Sequence, residues 1–155
     1  MIRKLSKEEC LLLLQNNYIG YLAYIYQNQP YMVPMTYFFD KKSNSIICYS
    51  AEGHKINAMR KNSSVSFEVT EIESVHNWKS VLAQGIYEEF TGSDVKLKLH
   101  AFSLGVKNII KHKENRELSF ISEFSSKIYK NDLPIAFKIK IDDITGKGRK
   151  YESES

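Results

Sequence analysis

Apolar residues recur along this chain at two periods, and the switch between them marks out its elements. Ser64 to Thr70 alternates Val65, Phe67 and Val69 with Ser66, Glu68 and Thr70, the period of two that marks a half-buried strand. After Pro134, the residues Ile135, Phe137, Ile139 and Ile141 oppose Lys138 and Lys140 in the same way. Tyr18 to Gln27 and Lys79 to Phe90 are apolar on both alternating faces, which predicts strands covered on two sides. Tyr31 to Phe39 and Ser45 to Ser50 follow the first of these through turns at Asn28-Gln29-Pro30 and Asp40 to Asn44, so three successive strands form a meander.

Helical spacing takes over in three places. Ser6-Lys7-Glu8-Glu9 is a capping box ahead of the apolar run Cys10 to Leu14. Gly53 to Lys61 is a short basic helix with Ile56, Met59 and Arg60 at helical spacing, ending near Asn62. Ser93 or Asp94 caps a long helix on which Val95, Leu99, Phe102, Val106 and Ile109 share one face, while Lys96, His100, Lys107 and Lys111 lie on another, solvated one. Ile72 to Trp78 reads as a loop, Leu118 to Phe124 as mixed helix or loop, and Ile144 to Arg149 as a basic, glycine-containing tail. Six strands joined mostly by short turns, with helices inserted, predict a mainly β fold with helices: a six-stranded antiparallel β-barrel of Greek-key type, in one domain spanning the chain. No GxGxxG or Walker-type loop points to a Rossmann or P-loop fold.

Composition narrows the function classes. At 155 residues and 43% hydrophobic the chain fits one globular domain with a sizeable core. Its longest apolar runs fall well short of the ~20 residues of a membrane span, and Met1 to Glu9 lacks a secretory core, so a cytoplasmic protein with no membrane partner is expected. Cys10 and Cys48 have no CxxC spacing and read as buried small hydrophobes. A net charge of +4 permits attraction to phosphate-bearing small molecules but falls short of a nucleic-acid stripe. His100 and His112 make no HExxH-type pair, no metal site is expected, and no Ser/His/Asp or Cys/His set emerges.

One stretch carries candidate chemistry. Ile46 to Tyr49 is a strand run, Ser50 and Gly53 are turn residues, and His54-Lys55 opens a helix. A helix N-terminus presents unpaired N–H groups and partial positive charge, so this turn is a candidate phosphate cradle; an ordinary solvated helix start is the other reading. Tyr49 fits an aromatic wall position equally well, and His76 with Trp78 can line a ligand or cap a barrel.

Four blocks occur in an ordered series: Pro30-Tyr31-Met32-Val33-Pro34-Met35-Thr36-Tyr37, Tyr49 to Asn62, Trp78-Lys79-Ser80-Val81 with Gly85, and Ile144-Thr145-Gly146-Lys147. Together they resemble the FMN-binding split-barrel family, and within it the pyridoxamine 5'-phosphate oxidase-like branch that includes nitroimidazole-resistance flavoproteins. The resemblance implies a homodimer with FMN at the subunit interface. It implies a flavin ring along Val33, Pro34, Met35 and Thr36, with Tyr49 and Ser50 facing the ribityl chain and phosphate. His54 and Lys55 would neutralise the phosphate, and Ser80, with Trp78 or Lys79, would approach from the partner subunit. It further implies an oxidoreductase that passes electrons from NADH or NADPH through FMN to a small organic acceptor. The motifs for a pyridoxamine phosphate substrate are not recognisable, so that activity is not implied. A haem-binding or haem-degrading split barrel, a non-catalytic flavin-binding module and a basic nucleic-acid-binding barrel are the alternatives from other classes; the last predicts affinity that falls steeply with salt.

Overall fold

The computed structural model describes residues 1–114 and 134–150. The order of elements is β1 (Arg3–Lys4), α1 (Lys7–Gln15), β2 (Ile19–Tyr26), β3 (Gln29–Thr36), β4 (Phe38–Asp40), β5 (Ser45–Ser50), α2 (His54–Lys61), β6 (Ser64–Ser74), β7 (Asn77–Glu89), α3 (Asp94–Glu114) and β8 (Ile135–Arg149). The expectation for Leu118 to Phe124 lies outside the described residues.

All the strand pairings are antiparallel. They form an eight-stranded sheet in the order β3-β2-β6-β7-β8-β5-β4, with β1 added against β8. The two ends of this path, β3 and β4, are neighbours in the chain, separated by Tyr37 alone. The sheet must therefore curl until its ends meet, and Tyr37 pins the join. Its N–H donates to Tyr18 O at 2.8 Å and its hydroxyl to Leu14 O at 2.8 Å, while its ring meets Phe67 edge-on at 5.1 Å. Burial pushes its phenol well above the ordinary tyrosine range.

The strand periods place the core. Leu22, Tyr24, Val65, Phe67, Val69, Val81, Ala83, Ile46, Cys48, Phe137 and Ile139 all turn into one cluster, closed by Leu13 and Leu14 of α1 and by Ile56 and Met59 of α2. The capping box forms as its sequence requires: Glu9 N–H donates to Ser6 Oγ and Ser6 N–H to Glu9 Oε1, each at 3.2 Å. Arg3 also pairs with Glu9, at 2.7 Å. Together these hold the Glu9 carboxyl at about 2, against an ordinary 4.5, with the Arg3 bond as the main cause. A second cluster lies on the other face of the sheet, where Leu99, Phe102, Val106 and Ile110 of α3 cover Ile47 and Ala136. Gly105 lets α3 approach that closely, since a Cβ there would collide with the Phe38 ring. This is why β5 is buried on both faces. Both cysteines are free and buried, and burial pushes the Cys48 thiol far up.

Four details depart from the local reading. Ile72 to Trp78 is not a loop, because β6 and β7 run on as a hairpin and leave Val75-His76 as its turn. Ile144 to Arg149 is not a tail but the second half of β8, paired to β7 from Ala83 to Trp78 and to β1. The α3 face closes on Ile110, with Ile109 half-buried beside it. The run Tyr31 to Phe39 breaks at Tyr37, and this break together with β1 accounts for the two strands beyond the expected six. For Ile144 to Arg149 and for β1 the deciding pairings come from residues distant in sequence.

Candidate functional site

The phosphate-turn candidate lies where β5 ends and α2 begins. Ser50 is the last residue of β5 and is buried, with its hydroxyl donating to Ala51 O at 3.0 Å. Gly53 caps α2 through backbone alone, and no side chain satisfies the first-turn amides. The first intrahelical bond runs from Asn57 N–H to Gly53 O at 3.0 Å, so the amides of His54, Lys55 and Ile56 precede any intrahelical partner. A Cβ added at Gly53 would meet no protein atom within 4 Å, so packing inside this chain does not demand the glycine. It leaves the space before the helix clear.

The three cations of α2 have different surroundings. The Arg60 guanidinium is clamped by two carboxylates: Nη1 and Nη2 donate to Glu52 at 3.0 and 2.9 Å, while Nε and Nη2 donate to Glu89. Tyr87 OH donates to the same Glu89 at 2.8 Å. The Arg60 bond, followed by that from Tyr87, lowers the Glu89 carboxyl against the opposing effect of burial. Lys61 Nζ lies 5.5 Å from the Tyr26 ring centroid. Lys55 is half-buried and has no carboxylate partner among the described residues. With no carboxylate beside it among the described residues, this ammonium is available to an anion at the helix start.

His54 lies elsewhere from its neighbour. Its Nδ1 is 3.0 Å from Tyr24 OH, and its ring is 4.8 Å from Tyr31 and 4.9 Å from Tyr26, both edge-on. Tyr24 and Tyr31 are cross-strand partners stacked at 5.3 Å. The imidazole thus seats the start of α2 on the β2–β3 hairpin. Nothing local in the sequence signals this, because the three tyrosines meet His54 only through strand pairing.

The remaining candidates divide between faces. On β3, Val33 and Met35 pack against the core while Pro34 and Thr36 take the alternate face; β3 ends the ladder path, so the strand's outer backbone edge has no ladder partner among the described residues. Tyr49 points away from Ser50 and packs edge-on against Phe102 of α3 at 5.0 Å, where burial raises its phenol. Trp78, Lys79 and Ser80 are remote from the turn within one chain. His54 bonds Tyr24, which is level with Val65 and Gly85, and Ser80 lies five residues along β7 from Gly85, about 17 Å away. Trp78 and Ser80 share the outer face of β7 with Leu82, in a row where Pro34, Tyr21, Glu68, Leu82 and Thr145 are paired across five strands. On that face Ile19, Tyr21, Ile25, Met32 and Leu82 are between 36% and 63% exposed, a cluster of large apolar side chains left uncovered by this chain's described residues.

Residues 6–147 match the family model described as pyridoxamine 5'-phosphate oxidase. The chain belongs to that family. Within the pyridoxamine 5'-phosphate oxidase family, it is 32% identical over 149 residues to an uncharacterized protein of Rhizobium meliloti, with 94% of each chain covered. Among solved structures, an FAD-binding protein of Mesorhizobium loti superposes with a TM-score of 0.72 at 30% identity, covering 96% of this chain and 98% of that one. A candidate 5-nitroimidazole antibiotic resistance protein of Bacteroides thetaiotaomicron shares the fold with a TM-score of 0.66 at 17% identity, covering 96% and 89%. The mainly antiparallel sheet, with three helices among the described residues, is consistent with the architecture of this split-barrel family. No helix among the described residues is long and apolar enough to cross a membrane.

Proposed function

We propose that this protein is an FMN-binding flavoprotein in which the flavin phosphate rests on the N-terminus of α2. The observation that carries the reading is Lys55, without a carboxylate partner among the described residues, beside three uncapped amides and the open space before Gly53. A phosphate there accepts backbone N–H bonds and a charge-assisted bond from Lys55, the stronger class of hydrogen bond. Ser50 closes the same turn. The residues present therefore fit the group, and the FAD-binding relative at 30% identity supports a flavin as its source.

The flavin ring lies along β3 in this reading, where the unpartnered backbone edge at Val33 to Thr36 can bond the pyrimidine edge. Bound flavin supplies hydride and single-electron chemistry, accepting reducing equivalents from NADH or NADPH for a small organic acceptor. The chain's own residues hold and orient it. Tyr49, packed under α3, serves the frame of β5, and His54 serves the seating of α2.

A homodimer completes the site. The exposed apolar face of β2, β3, β6 and β7 meets its copy, and the same face carries Trp78 and Ser80 toward the partner's flavin. Titration of the purified protein with FMN tests the binding claim. Fluorescence quenching with saturation is expected, and Lys55→Ala should weaken it by more than tenfold. A colourless protein with no quenching overturns the reading.

A further inference from the structure

The outer face of β7, β8 and β1 carries a set of cations that the phosphate turn of α2 does not use. Ser80 is paired with Lys147 and Lys147 with Lys4, so one row across three strands holds a hydroxyl and two ammonium groups; in the next row Trp78 is paired with Arg149. We infer that Lys147 and Arg149 dock a phosphate or carboxylate on the small molecule that exchanges electrons with the flavin, so that this substrate is an anion. The place of the flavin rests on the reading above; the charge of the substrate comes from this chain's own cations.

Neighbouring contacts fix which way these side chains face. A Cβ at Gly146 would meet Cys10 Sγ and Leu5, and one at Gly148 would meet Leu5, so the even positions of this stretch face α1 and the core while Thr145, Lys147 and Arg149 face outward. Residues directly opposite on neighbouring strands share a face, which brings Lys4, Ser80 and Trp78 to the same side. Lys4 and Lys147 are therefore like charges set directly against each other, an arrangement that weakens a strand pair. Neither of them, nor Arg149, has a carboxylate partner among the described residues. A lysine on the edge strand β1 serves to discourage stray pairing. Lys147 has no such role, because β8 is covered there by β7 on one side and β1 on the other.

The carboxylates of this face stand apart from the cations. Glu68 is level with Leu82 and Thr145, two strands away from β8, and Asp143 is level with Gln84, about 13 Å along β8 from Lys147. At the far end, Trp78 and Arg149 border a cleft of about 200 Å³ that Lys79 and Lys150 also line. Its carboxylates, Glu71 and Glu73, accept amide hydrogen bonds from Asn17 at 2.9 Å and Asn77 at 2.6 Å, and its Arg3 is held by Glu9. Lys4, Lys147, Arg149, Lys79 and Lys150 outnumber those carboxylates, so this end of the face carries excess positive charge. About 7 Å separates Lys147 from Arg149 along the strand, a span that their long side chains close on a single anion. The guanidinium bonds it at two points, and the Ser80 hydroxyl lies in the same row. Half-buried Trp78 offers a planar ring an apolar surface beside the charges. Because Trp78 and Ser80 face the partner's flavin in the reading above, an anion held here leaves the rest of its molecule next to that flavin.

Two matched pairs of probes, titrated calorimetrically into the protein with and without FMN, test the assignment. NADP+ against NAD+ reports a phosphate on the donor, and nitrobenzoate against nitrobenzamide reports a carboxylate on the acceptor. Wild type should bind the more anionic member of at least one pair at least tenfold more tightly than its counterpart. Lys147→Gln combined with Arg149→Gln should reduce that preference below threefold and leave FMN affinity within twofold, since neither residue lies at the phosphate turn. Lys147→Arg combined with Arg149→Lys, which keeps both charges, should keep the preference. A preference confined to the first pair makes the donor the source of the anion, and one confined to the second makes it the acceptor. No difference within either pair, or a preference that survives the neutral double variant, overturns the anion site and leaves the flavin reading intact. A matching loss of FMN affinity in the neutral double variant assigns these cations to the flavin phosphate instead and also overturns it. A preference in protein that takes up no FMN keeps the anion site and overturns the flavin reading.

Discussion

Gly53, His54 and Lys55 are consecutive, yet each answers to a different physical demand. Lys55 has no carboxylate partner among the described residues, and removing it should lower FMN affinity by at least tenfold, in line with the roughly 1.5–3 kcal/mol of a hydrogen bond to a charged group. Gly53 offers a sharper test because its Cβ position is empty of protein atoms. Gly53→Ala should leave thermal stability within about 0.5 kcal/mol, as surface changes do, while reducing FMN affinity at least tenfold by filling the approach to the helix end. Equal affinities for the variant and wild type, read by fluorescence quenching, would place the phosphate elsewhere. His54→Ala should behave in the opposite sense. Without the bond to Tyr24 and the edge-on packing against Tyr26 and Tyr31, the melting temperature should drop, and FMN affinity should fall less than in Lys55→Ala.

At the scale of elements, one guanidinium adds a polar clamp to the packing of Ile56 and Met59 that holds α2 to the sheet. Arg60 joins Glu52, within the turn, to Glu89 on β7, so two carboxylates help to fix the helix relative to the barrel. Glu89 has its pKa lowered in the folded protein, chiefly by Arg60. A carboxyl depressed on folding contributes stability that is present above its unfolded value, ordinarily 4.5, and lost as pH falls through the folded value. Glu9 of the α1 capping box, held at about 2, follows the same sign. Melting temperature should therefore decline as pH falls from about 4.5 toward 2, and Glu89→Gln should flatten the part due to α2. A profile for Glu89→Gln identical to wild type would show that the clamp carries no weight. α3 is a separate case. Its face is legible from spacing alone, but its seat over Ile47 and Ala136 depends on Gly105 meeting Phe38 of β4, a contact 67 residues apart in sequence.

For the whole molecule, the exposed band of Ile19, Tyr21, Ile25, Met32 and Leu82 is the feature a single chain leaves unaccounted for. Sedimentation with FMN present should give twice the mass of one chain. Tyr21→Asp combined with Leu82→Asp should yield monomers that bind FMN at least tenfold more weakly, because Trp78 and Ser80 lie on that same face and would be withdrawn from the partner. A monomeric wild type with full FMN affinity would remove the second subunit from the site.

Local periods determined much of this protein. The capping box at Ser6, the alternation of Val65, Phe67 and Val69 and of Ile135 to Ile141, the helical face of Leu99 to Val106, and the uncapped helix start at His54-Lys55 all follow from neighbours within a few residues, where side-chain direction is fixed by backbone geometry. Tertiary structure decided whatever depends on which strand lies beside which. Val75-His76 shrank to a turn, and Ile144 to Arg149 became strand, because β7 supplied ladder partners for both. It also separated His54 from Lys55, since the tyrosines that hold the imidazole arrive from another hairpin, and it set Ser80 about 17 Å along β7 from Gly85, the level at which His54 meets the sheet. Hydrophobic period reports which way a residue faces; only the pairing of distant strands settles what it faces.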